Sequence, residues 1–167
     1  MNSSFYKHFL LLLLLLAFHF KLFSIELNFK YYKVEDGLTS NTIYTVLQDS
    51  KGFMWFGTEY GINRFDGYTF ISYENIPGDE NSLINNSVYT IVEDETQRLW
   101  IGTEKGVSIL DLNKNFIKCI TEQTPNGCDI NDRVENIIHD VNKTWISSSK
   151  QGVFLFEGNT LTLFSFE

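Results

Sequence analysis

Proline occurs only twice in the 167 residues, so the chain is not a proline-rich spacer or a flexible linker. Clusters of basic residues are missing too. Thirteen Lys and Arg stand against 21 Asp and Glu, a formal charge of -8. Binding phosphate needs clustered Lys and Arg, so neither a nucleic-acid surface nor an acidic partner is expected. The three histidines, His8, His19 and His139, lie far apart, and no CxxC or His-rich spacing exists. The sequence therefore calls for no metal and no cofactor.

Cysteine is scarce as well. Cys119 and Cys128 are nine residues apart, a spacing that would close a small surface loop if the two were bonded. The other reading makes Cys119 a buried strand residue and Cys128 an incidental loop thiol. Long hydrophobic runs are absent with one exception. Residues 9–18 include seven consecutive leucines, preceded by Lys7 and His8 and followed by the more polar 19–24. That layout is a secretory signal peptide, and the run is about half the ~20 residues a membrane span needs. Residues 1–24 are expected to be a leader ending at Ser24, with an uncleaved anchor as the alternative. The mature protein would then be exported.

What the chain has in abundance is repetition. Its tryptophans are Trp55, Trp100 and Trp145, an interval of 45 residues both times. Around them runs QDSKGFMWFGTEYG (48–61), then VEDETQRLWIGTEKG (92–106), then the weaker DVNKTWISSSKQG (140–152), where Ser147 and Ser148 replace Gly-Thr. Each period divides into four short apolar runs separated by turn residues, with no helical periodicity. Four-stranded units of this length are propeller blades. The fold class expected is all-β: three four-stranded antiparallel blades, at about 43–73, 88–120 and 134–166, plus one leading strand at 27–34, in an incomplete ring spanning 25–167. The inner strands, apolar on both sides, would be sandwiched between neighbouring blades.

The recurring residues have structural tasks. Trp55, Trp100 and Trp145 suit a large flat group wedged between blades. Gly57 and Gly102 allow close approach, while Gly61 and Gly106 supply the positive φ of a short hairpin. The Thr58 and Thr103 hydroxyls would bond loop backbone, and Asp49 and Asp94 would cap the turn after the first strand. A residue that recurs in every blade solves a problem every blade has, so function belongs to what differs between blades.

Two stretches resemble the two-component regulator propeller repeats: DGLTSNTIYTVLQDSKGFMWFGTEYGINRFDGYTFISY (36–73) and NSLINNSVYTIVEDETQRLWIGTEKGVSILD (81–111). Both are led by Leu-x-x-Asn, at Leu38–Asn41 and Leu83–Asn86, and the likeness fades in the third copy. The resemblance implies the periplasmic sensor region of a hybrid two-component histidine kinase, with a glycan ligand. Family members carry two seven-bladed propellers, a β-sandwich, a membrane helix, kinase, receiver and DNA-binding domains. The sequence is therefore expected to be the opening of such a sensor or a truncated product, and it shows no phosphoacceptor helix and no catalytic constellation. Its expected partners are an oligosaccharide, the remaining blades and signalling domains, and copies of itself through uncovered blade faces. Ligand contacts fall on the face shared by the second-to-third strand turns and the blade-to-blade connections. There Tyr60, Lys105, Asn41, Asn85 and Asn86 could meet sugar hydroxyls, unless the asparagines only make turns. The competing classes are a propeller glycosidase or lyase and a protein-binding scaffold.

Overall fold

In a computed structural model of the chain, the described residues are 4, 6–12, 27–120 and 129–164. Cys128, the proposed leader end at Ser24 and the last residues of the third repeat lie outside them. Two units are distinguished, Met1–Tyr31 and Tyr32–Glu167. The first has residues 6–12 in helix. No helix among the described residues is long and apolar enough to cross a membrane.

The second unit holds three four-stranded antiparallel sheets. Blade 1 is β1 (Ile43–Gln48), β2 (Met54–Thr58), β3 (Gly61–Phe65) and β4 (Phe70–Tyr73). Blade 2 is β5 (Val88–Glu93), β6 (Arg98–Thr103), β7 (Gly106–Asp111) and β8 (Phe116–Cys119). Blade 3 is β9 (Val134–Asp140), β10 (Lys143–Ser148), β11 (Gly152–Glu157) and β12 (Thr160–Phe164). Strands pair in sequence order within each blade, and β1, β5 and β9 pack beside one another. They are therefore the inner strands of adjacent blades.

Two cores form, one at each blade junction. Trp55 and Ile62 of blade 1 close on Val88, Ile91, Leu99 and Ile101 of blade 2, and Trp100 and Val107 of blade 2 close on Val134, Ile137, Ile146 and Phe154 of blade 3. The exposure of the tryptophans follows directly: Trp55 is 0% and Trp100 1% accessible, but Trp145 is 39%, because no further described blade covers it. The glycines before the hairpins have a specific use. A Cβ on Gly57 would lie 2.5 Å from Thr45 Cγ2 and 2.7 Å from Val88 Cγ1. On Gly102 it would lie equally close to Thr90 and Val134. Each glycine is the slot into which the next blade's first valine fits.

Two expectations are corrected. Residues 27–33 carry no strand, and Val34–Asp36 is a 3-10 helix whose C-cap Gly37 is left-handed. A strand needs a neighbour to pair its N–H and C=O groups, and none of the sheet pairings among the described residues includes this segment. Tyr32 instead packs edge-on against Phe65 and Phe70, at 4.9 and 5.5 Å between centroids. The inner strands are also not uniformly buried. Only β5, which has a described blade on either side, has no exposed residue, while β1 is largely exposed.

Candidate functional site

The residues that recur are consumed by the blade. Asp49 Oδ1 accepts the Lys51 and Phe53 backbone N–H groups at 3.0 and 2.9 Å, and its Oδ2 accepts the Trp55 indole N–H at 2.8 Å. Asp94 repeats this with Thr96 N, Arg98 N and the Trp100 indole, and adds the Arg98 guanidinium at 2.7 Å. Burial pushes the Asp94 carboxyl up, but the bonds from Thr96, the Trp100 indole and Arg98 outweigh it and hold its pKa at about 2. The hairpin threonines behave alike. Thr58 Oγ1 donates to Gly61 O and accepts Tyr60 N–H, both at 2.9 Å, and Thr103 does the same with Gly106 and Lys105. Gly61 and Gly106 have φ of 103° and 117°. No carboxylate of this set is left facing open space with a nucleophile or a base.

The five residues singled out for ligand contact lie at one end of the blades. Gly61 N–H donates to Asn86 O at 2.6 Å and Glu104 N–H to Ser87 O at 3.0 Å. The segment 85–87 is thereby held between the β2–β3 and β6–β7 hairpin tips, which carry the exposed Tyr60 and Lys105. Asn85 Oδ1 accepts Ser87 N–H and closes a local turn, while Asn86 Oδ1 accepts the N–H of Asn75, across the 75–86 loop. Asn41 Oδ1 likewise accepts Val34 N–H at 3.1 Å. Their amide N–H groups make no bond among the described residues, so the asparagines offer donors there, while Tyr60 offers a ring and Lys105 a charge. Asn41 sits apart from the other four, with the 38–41 segment bound to Thr58 and Asn63 of its own blade.

A further cluster beside this end escaped the sequence reading. Tyr44 of β1 stacks on Tyr89 of β5 with centroids 4.9 Å apart and 29° between planes. The Arg133 guanidinium sits 5.4 Å from the Tyr89 ring centre and is bound to Glu135 at 2.5 and 2.9 Å. Burial raises the Tyr89 pKa, as do the hydrogen bond and charge of Glu104 beside its hydroxyl. Glu135 in turn raises that of Arg133. The signal available in the sequence was that one position of the inner strand changes from Tyr to Tyr to Glu while its flanks stay Ile/Val and Thr/Thr/Asn.

Among the described residues no group of three or more His, Cys, Asp and Glu could hold a metal ion. Cys119 is a half-buried free thiol beside Ser108, at 3.5 Å, and burial raises its pKa.

Comparison with known proteins agrees with this architecture. The family model described as Two component regulator propeller matches residues 37–60 and 82–105. Histidine kinase P4 of Formosa agariphila is 39% identical over 67 residues, which make up 40% of this chain and 5% of that protein. Two solved structures of the extracellular domain of BT4673 from B. thetaiotaomicron are similar in fold. One, named a one component system, is 26% identical with a TM-score of 0.63, and the other, named a hybrid two component system, is 29% identical with a TM-score of 0.62. Each match covers 78% of this chain and 19% of the solved one. The chain thus spans a small fraction of the length of the proteins it matches.

Proposed function

We propose that the chain, whose residues 37–60 and 82–105 match the two-component regulator propeller model, is the ligand-sensing propeller segment of a periplasmic, glycan-responsive sensor and is itself non-catalytic. The observation that carries the reading is the division of labour between residues. The acids, threonines and glycines that recur in the two full repeats are spent on turns, hairpins and blade contacts. Tyr60, Lys105 and Asn85, which differ between the two full repeats, gather at one end with Asn86, and the Tyr44–Tyr89 pair lies beside them. An aromatic face with amide and charged donors is the chemistry that recognises sugar hydroxyls without reacting with them.

Signal output belongs to the longer protein. In this reading, ligand held at the hairpin ends biases the arrangement of blades, and domains outside this chain read that arrangement. The test is a panel of oligosaccharides offered to the chain, with binding and product formation followed together. Saturable binding without products is the expected result. Hydrolysis or elimination that disappears on replacing one or two acids would establish a propeller glycosidase or lyase instead.

A further inference from the structure

Every inner strand carries one more residue than its partner pairs. The register of β1 on β2 passes from Ile43 to Thr45, that of β5 on β6 from Val88 to Thr90, and that of β9 on β10 from Val134 to Asn136. Tyr44, Tyr89 and Glu135 are therefore bulge residues at one and the same blade position. A bulge leaves the extra residue out of the ladder and re-aims its side chain. Since β1, β5 and β9 are edge strands lying side by side, the three side chains emerge along a common inner edge. There they assemble in order: the Glu135-bound Arg133 guanidinium, the Tyr89 ring, then the Tyr44 ring.

Tyr44 ends the stack. It is 44% exposed, and its second face meets no ring or cation among the described residues. Neither tyrosine belongs to the two blade-junction cores. The bulge itself recurs in all three blades, so it has a structural use; its occupant is Tyr in blades 1 and 2 and Glu in blade 3, and the two tyrosines are set apart by their mutual stacking and the exposed Tyr44 ring.

We propose that this inner-edge stack is the ligand-contacting wall of the chain and that its ligand is an uncharged, pyranose-based oligosaccharide. The inference rests on the glycan-sensing reading above and names its site and ligand class. The open Tyr44 face offers a flat apolar surface for the C–H side of a sugar ring, and the phenol hydroxyls, Glu104 and Glu135 offer partners to its hydroxyl groups. Charge selects against anionic glycans. At the stack itself the one cation, Arg133, is already bound to Glu135, and Glu104 adds a second carboxylate beside Tyr89, so a uronate or sulfate on Tyr44 would meet two like charges there, with only Lys105 of the neighbouring hairpin tip to oppose them.

Titration calorimetry of the full chain with uncharged oligomers of glucan, mannan and xylan, and with an alginate oligomer of equal length, tests this. An uncharged oligomer is expected to bind and alginate not to. Tyr44→Ala should weaken binding about tenfold. Tyr44→Leu, which keeps bulk on the strand but removes the ring, should weaken it similarly, and Tyr68→Ala, on the exposed β3–β4 turn, should leave it unchanged. Binding indifferent to both Tyr44 variants but abolished by Tyr60→Ala would overturn the inference and leave the sensing reading in place. Tighter binding of alginate would overturn the ligand class. A chain that binds none of the oligomers would overturn the sensing reading, and this inference with it.

Discussion

The Trp100 indole N–H donates to Asp94 Oδ2 at 2.9 Å, tying the second strand of blade 2 to the turn that precedes it. Because the Asp94 pKa is depressed from an ordinary 3.8 to about 2, the unfolded chain binds the proton first as pH falls. The stabilisation is therefore fully present above the unfolded value and is lost as pH falls through 3.8 towards about 2. Its size is about 2 kcal/mol. Urea unfolding of Asp94→Asn should show that loss near neutral pH and a flatter stability profile between the two values. A variant whose profile parallels that of the parent protein would contradict the assignment.

Truncating the tryptophans should rank them by burial. Trp55→Ala and Trp100→Ala each remove a fully buried ring and leave a buried carboxylate short of a donor, at a cost of about 3–5 kcal/mol. Trp145→Ala should cost clearly less, since that ring is 39% exposed and makes no bond to Asp140 among the described residues. Equal losses in chemical denaturation of all three would refute the ranking.

The slot glycines give a second stability test. Gly102→Ala places a Cβ 2.5 Å from Thr90 Cγ2 and 2.7 Å from Val134 Cγ1, and both neighbours are stiff, β-branched side chains. Overpacking of this kind costs about 1–3 kcal/mol. Adding Val134→Ala should recover part of it by clearing one of the two clashes. The corresponding exchange in blade 3, Ser147→Gly, should be far milder, because no described blade packs on that position. Thermal melts of the single and double variants check all three statements.

How much of this was legible in the sequence depends on the kind of interaction. The 45-residue spacing of the tryptophans and the Gly-Thr-x-x-Gly tails are local patterns, and the hairpins they imply are present, with Thr58 and Thr103 bonded as their spacing suggests. The turn-capping role of Asp49 was legible for the same reason. Its bond to Trp55 was not, because the two meet only once β1 and β2 pair. Residues 27–34 read as a strand by composition, yet pairing rather than composition decides whether a strand forms. Tyr44 and Tyr89 were hidden differently: counting alternate residues assigns every side chain to one of two blade faces, and a bulge residue belongs to neither. Of the three asparagines only Asn85 makes the local turn that its residue type suggests; the Asn41 and Asn86 side-chain oxygens bond Val34 and Asn75, contacts that no local pattern shows.

Uncovered blade faces should make the chain associate. Ile138, Trp145, Leu163 and Phe164 are exposed on blade 3, and Ile43 and Val46 on blade 1. Ile43 precedes its bulge as Val88 and Val134 precede theirs, and those valines fill the glycine slots of neighbouring blades. Apolar faces of this kind are not left open to water by soluble monomers. Sedimentation should show concentration-dependent association that weakens on Trp145→Lys. A monodisperse monomer with a sharp cooperative melt would argue against it.

The central claim is that blade-specific residues at one end of the blades read a ligand. Hydrogen–deuterium exchange with and without a saturating oligosaccharide tests it most directly. Protection is predicted at the hairpin tips 58–61 and 103–106, at 85–89 and at 133–135, with the opposite turns 49–53 and 94–98 unchanged. Protection confined to those opposite turns, or oligosaccharide consumed during the experiment, would contradict the account.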